Sequence, residues 1–280
     1  MSKDLKFVFF GTPDVASETL EILKSGGYLP TLIVTSPDKP QGRKMLITPP
    51  PAKTWAEKNN IPYIQPEDSG TVFQSLAQAD LAIVVAYGKI LPENIINMPR
   101  LGSINIHYSL LPKYRGASPV ESAILNGDTE TGVTIQQMAF KMDAGDILAQ
   151  EIVPIGADEK APDLRKRLIK IGGQLLLKTL PNLVAGKITP IPQNEKEATN
   201  CKKIQKEDGL IDLADDAKEN NLKNYNKFRA YSAWPRTYFF KDEKRIIITD
   251  ASFADSGFTI KKVLPEGKKE ISWEEFKRIK

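Results

Sequence analysis

A chain of 280 residues, 41% of them hydrophobic, exceeds the usual size of one domain and can bury a normal core, so a large domain followed by a small one is expected. One cysteine and one histidine exclude an internal disulfide and a conventional zinc site, and no metal is expected. The net charge of +4 is only weakly basic; with no apolar run of about eighteen residues and no signal or transit character, a cytoplasmic protein without membrane association is expected.

Leu5 to Phe10 is a short, nearly continuous apolar run ending in Gly11-Thr12-Pro13-Asp14, as a buried parallel strand feeding a helix does. Leu20, Ile22 and Leu23 recur at helical spacing before Gly26-Gly27 stops the helix, and Thr31 to Thr35 reads as a second strand. This βαβ unit implies an α/β fold with a Rossmann-like, doubly wound, mainly parallel sheet. Gly11 lacks the following glycines of a dinucleotide fingerprint, so neither NAD nor FAD is expected. Ser36 to Pro51 reads as a long basic loop rich in proline and glycine, and loops of that length are functional or disordered. Helices at Thr54 to Asn60 and Gln74 to Gln78 precede Leu81 to Ala86, the most hydrophobic strand and thus a central one. It exits into Tyr87-Gly88, which is either a plain turn or a place where a planar ligand approaches the backbone.

Ser103 to Val120 starts as a strand and finishes as a loop. Alternation lets Ile104 and Ile106 pack on one face while Asn105 and His107 project from the other, at a strand end where open α/β sheets bind ligands. Two neutral hydrogen-bonding side chains in that position suit donation to an oxygen that becomes negative during acyl transfer. A lone histidine at a strand end is as a rule structural, but the apolar-to-basic turn that follows, Leu110-Leu111-Pro112-Lys113-Tyr114-Arg115-Gly116, favours chemistry. A helix at Ser118 to Asn126 and a strand at Gly132 to Met138 come next, then a polar turn with Asp143 and Asp146 leading into Ile147 to Ile155. Turn aspartates usually only form the turn. Pro162 to Ala185 reads as a long amphipathic helix, and short strands near 237–240, 245–249 and 258–263 suggest a small β-domain. The expected domains are 1–189, a linker at 190–203, and 204–280. Positive charge concentrates in Lys39 to Lys44 and in the tail from Lys261 onward, and either could track phosphates.

Asn105-x-His107-x-Ser109-Leu110-Leu111-Pro112, with Arg115-Gly116-Ala117-x-Pro119, resembles the signature of the formyltransferases that use 10-formyltetrahydrofolate. Gly11 to Ala16, Lys203 to Asp212, Ala233-Trp234-Pro235 and the stretch from Pro265 to Trp273 are similar to the tRNA-acting branch of that family. The chain departs from the pattern at Val15, where an aromatic is common, at Leu213 in place of a tryptophan, and at Ser232-Ala233 in place of Asn-Pro. The resemblance implies transfer of the formyl group of 10-formyltetrahydrofolate to the α-amino group of initiator methionyl-tRNA, by direct amine attack through a tetrahedral intermediate. It also implies an OB-like C-terminal barrel that binds tRNA. It assigns catalysis to Asn105, His107 and Asp143, folate binding to Ala86, Tyr87, Gly88, Ser109, Leu110, Leu111 and Pro112, and tRNA binding to Arg43 and Lys44. Alternatives are a formyltransferase for a small amine, such as a nucleotide sugar or glycinamide ribonucleotide, a hydrolase of the same donor, and an RNA-binding protein without turnover. No obligate protein partner is evident.

Overall fold

The computed structural model describes residues 5–42, 45–66, 70–213, 218–255 and 257–279. It forms two compact units: one takes the chain up to Arg115 with Gly132–Ile152 and Leu168–Thr199, the other Gly116–Thr131, Val153–Arg167 and the chain from Asn200 onward.

In chain order the elements are β1 (Phe7–Gly11), α1 (Asp14–Ser25), β2 (Leu32–Val34), β3 (Lys39–Gln41), β4 (Leu46–Thr48), α2 (Pro51–Lys58), β5 (Tyr63–Ile64), α3 (Gly70–Ala77), β6 (Leu81–Val85) and α4 (Glu93–Ile96). Then follow β7 (Ser103–His107), β8 (Arg115–Gly116), α5 (Pro119–Leu125), β9 (Glu130–Gln137), β10 (Ile147–Pro154), α6 (Ala161–Val184), β11 (Asn200–Cys201), α7 (Lys218–Ala230), β12 (Tyr238–Lys241), β13 (Lys244–Ala254), β14 (Gly257–Pro265), β15 (Ile271–Ser272) and α8 (Trp273–Arg278).

The main sheet has the order β10-β9-β7-β6-β1-β2-β5. From β1 the chain steps outward through β2 to β5, then returns to the opposite side of β1 as β6, so the switch point lies between β1 and β6. The pairs from β5 to β7 are parallel, and β9 runs antiparallel to β7. β1 and β6 are buried on both faces, which is why they read as continuous apolar runs. Val8, Phe10, Ala82 and Val84 share a core with Val72 and Leu76 of α3 and with Ile95 and Ile96 of α4. α6 approaches the other face closely at Gly172: a Cβ there would sit 3.1 Å from both Ile106 and Val133.

The doubly wound, mainly parallel sheet agrees with the expectation, and so does the small β domain. In that domain β12, β13, β14 and β15 form an antiparallel sheet around Ile246, Ile248, Ile260 and Val263, with Tyr225 and Phe228 of α7 and Phe276 of α8 in the same core. Differences are local. The expected loop at 36–51 contains the β3–β4 hairpin, because Leu46-Ile47-Thr48 finds a partner in Lys39-Pro40-Gln41, and Gly42 turns the chain at φ +69°. α2 starts at Pro51 rather than Thr54 because proline suits the first turn of a helix. Among the described residues no helix is long and apolar enough to cross a membrane.

Candidate active site

β7 delivers the alternation its sequence promises. Ile104 and Ile106 are buried, and the opposite face carries Asn105 and His107. In register, Asn105 stands between Val84 of β6 and Gln136 of β9. Its amide Nδ2 donates to the Val84 carbonyl at 2.9 Å, and since a carbonyl only accepts, Oδ1 must face the other way. There Gln136 meets it: Nε2 donates to Asn105 Oδ1 at 3.2 Å and to Asp143 Oδ1 at 2.9 Å. The other carboxylate oxygen, Asp143 Oδ2, lies 3.6 Å from His107 Nδ1. His107 Nε2 lies 2.9 Å from the Tyr114 carbonyl, so that nitrogen carries a hydrogen and donates it. The ring is only 6% exposed and is fixed from both ends. In this conformation the imidazole Nε2–H is spent on Tyr114, while Val84 takes one of the two Asn105 amide hydrogens.

A second network holds the turn that carries Asp143, whose φ of +50° is left-handed. Gln193 Nε2 donates to the main-chain oxygens of Asp143, at 2.9 Å, and Gly145, at 2.7 Å. Its Oε1 accepts from Arg115 Nε at 3.0 Å and Nη2 at 2.8 Å. Arg115 is almost wholly buried and also pairs with Glu195 at 2.8 Å, which in turn takes Lys141 at 2.6 Å. Hydrogen bonds from Arg115 and then Lys141 lower the Glu195 carboxyl from 4.5 to about 2. All of these residues belong to the first unit.

The remaining residues singled out from sequence sort by what they expose. Ser109 is fully buried, donates to the Lys113 carbonyl at 2.6 Å and accepts at its own carbonyl from Thr134. Leu111 is also buried, its N–H on Thr134 Oγ1 and its carbonyl accepting from Gln150, so both hold the turn, while Leu110 and Pro112 are half-buried. Beyond β6, Ala86 and Gly88 are exposed at φ +48° and +80°, and nothing stands within 4 Å of where a Gly88 Cβ would be. Tyr87 turns inward instead, its ring edge-on to Phe10 at 5.3 Å, and burial pushes its phenol up. Asp146 offers its carbonyl to the Gln137 N–H. Arg43 and Lys44 lie outside the described residues. Among the described residues no three His, Cys, Asp or Glu side chains group as a metal would require.

The formyl transferase family matches residues 5–180, and the formyl transferase C-terminal domain matches residues 203–262. The chain belongs to the formyl transferase family. Methionyl-tRNA formyltransferases of Halalkalibacterium halodurans and Enterococcus faecalis are 42% and 44% identical to it, over 84% and 83% of this chain and 74% of each relative. The crystal structure of an N-formyltransferase from Helicobacter canadensis, in complex with folinic acid and dTDP-3-aminofucose, has the same fold, with a TM-score of 0.68 at 18% identity over 90% of this chain and 88% of that one. Sequence reasoning about this formyl transferase missed Gln136 and Gln193. Gln136 sits in an ordinary strand and its role depends on register, while Gln193 lies in a polar, proline-bearing stretch that reads as a linker.

Proposed function

We propose that this formyl transferase moves the formyl group of 10-formyltetrahydrofolate to the α-amino group of initiator methionyl-tRNA, giving N-formylmethionyl-tRNA. Relatives above 40% identity over most of the chain support the acceptor. The observation that carries the chemistry is the joining of Asn105 and Asp143 by one buried amide beside His107.

An α-amino group has a pKa of about 8, so its neutral form attacks without help from a protein nucleophile. As the new carbon–nitrogen bond forms, the formyl oxygen gains charge, and the second Asn105 N–H donates to it. The amine gives up one proton and N10 of the departing folate takes one, so none is gained or lost. Asp143 Oδ2, facing His107 Nδ1, is the acceptor for the first of these transfers. Gln136 Nε2 holds that carboxylate by its other oxygen, and the His107 ring beside it is anchored by its Nε2–H on Tyr114. The formyl donor supplies the reactive carbon, and the open backbone at Ala86 and Gly88, together with the turn at 109–112, forms its side of the site. Catalysis belongs to the first unit, which takes in Gln193 and Glu195 of the stretch expected as a linker. Arg43 and Lys44, with the domain at 204–280, engage the tRNA.

The test mixes the protein and 10-formyltetrahydrofolate with charged initiator tRNA, free methionine or an amino-sugar nucleotide, alongside Asn105→Ala, His107→Ala and Asp143→Asn. Transfer to charged tRNA alone is expected, and Asn105→Ala should be slower by about a hundredfold or more. Efficient transfer to the amino sugar would overturn the acceptor; near wild-type turnover in Asn105→Ala and Asp143→Asn would overturn the site.

A further inference from the structure

Gln136 is 2% exposed, and both hydrogens of its amide are directed at the two groups given chemical roles above. Its Oε1, equally buried, has no hydrogen-bond partner among the described residues. An unpaired buried acceptor is destabilising, and an amide could ordinarily relieve it by turning over. Here it cannot. Turning would set Oε1 against Asn105 Oδ1 and Asp143 Oδ1, and Asn105 cannot turn in response because its Nδ2 is needed by the Val84 carbonyl. The orientation is therefore dictated from Val84 through Asn105 to Gln136, and the orphaned oxygen follows from using both donors. An apolar side chain of the same length would serve packing alone without this defect.

We infer that Gln136 is a positioning residue for formyl transfer. It keeps the Asn105 amide aimed so that its free N–H faces the formyl oxygen, and it fixes Asp143 so that Oδ2 faces His107. One side chain thereby sets the relative placement of the oxygen-stabilising group and the proton acceptor, which arrive from β7 and from the turn after β9. The inference rests on the site reading under Proposed function.

The decisive variant is Gln136→Met, which removes both donors and the orphaned oxygen at nearly constant volume. Steady-state kinetics and thermal unfolding are measured for it, for Asn105→Ala, for Asp143→Asn, and for Gln136→Met combined with each. The expected result is a kcat lower by about ten- to a hundredfold, KM for both substrates within about threefold of wild type, and an unfolding midpoint no lower than wild type. In the Asn105→Ala and Asp143→Asn backgrounds the same substitution should cost much less, because the group it positions is already gone. A kcat within twofold of wild type, while Asn105→Ala and Asp143→Asn are crippled, would overturn the inference and leave the site intact. A loss confined to KM, a loss accompanied by a lower midpoint, or full additivity in both backgrounds would also overturn it. If Asn105→Ala and Asp143→Asn themselves turn over normally, the site reading falls and the inference with it.

Discussion

Glu195 is held by two cations of unlike exposure, Arg115 with a side chain 4% exposed and Lys141 with one 68% exposed. Its carboxyl is drawn down from 4.5 to about 2, first by Arg115 and then by Lys141. A depressed carboxyl pKa stabilises the fold while the group is ionised, so the contribution is complete above about 4.5 and fades as the pH falls through about 2. Glu195→Gln should therefore melt below wild type at neutral pH, by a small margin since Glu195 is exposed, and the two midpoints should converge as the pH is lowered across that window. A difference that stays constant from pH 5 to pH 2, as about the same offset at each step, would mean that the charge is not the cause. Gln193→Ala should speed amide exchange at 139–146 and lower kcat, since it removes the hold on the Asp143 and Gly145 carbonyls. At this scale Asn105 and His107 are readable in sequence because strand alternation and their chemistry coincide. Gln136 is not, because what it does is decided by a strand partner 31 positions away.

The turn from Ala139 to Asp146 works as an element although it has no regular structure. It folds back so closely that a Cβ on Gly145 would sit 1.7 Å from the Gln137 carbonyl oxygen. Gly145→Ala should displace the turn, costing about 1–3 kcal/mol of stability by denaturant titration, and should slow turnover because Asp143 moves with it. An unchanged midpoint and rate would show that the turn rebuilds around the methyl group. Elements whose signal is local, such as β1, β6 and α6, are evident from apolar runs and helical spacing. α7 is not: Lys218 to Ala230 is rich in asparagine and lysine, poor helix-face patterning, and it is stabilised by contacts distant in sequence, Tyr225 stacking at 5.6 Å on Phe253 of β13. α8 is equally short of pattern, and Phe276 anchors it against Phe239 of β12, with Trp273 of the same helix stacked on the Phe276 ring. The hairpin at 39–48 escaped notice because Pro40 argues against a strand, yet a two-stranded ribbon tolerates it at an edge.

For the whole molecule the modest net charge of +4 conceals a concentration of exposed lysines, Lys261, Lys262, Lys268 and Lys269, along β14 and the turn after it. If that surface tracks the acceptor stem, the affinity for tRNA falls linearly with salt on logarithmic axes, and Lys261→Glu with Lys269→Glu should flatten the slope by about 0.9 for each duplex phosphate that is no longer neutralised. A slope left as it was would put the nucleic acid on another face. The doubly wound sheet and the central place of β6 follow from elements visible in the sequence, whereas the edge strand β5 and the antiparallel placement of β9 do not, because nothing local to Glu130–Gln137 specifies the direction of its neighbour. That reversal is also what sets Gln136 opposite Asn105. A laboratory selection that rewarded only heat resistance would find the unpaired oxygen of Gln136 an easy defect to repair, and methionine or leucine should accumulate at position 136 early in such a library. The survivors would tolerate more heat and form product more slowly.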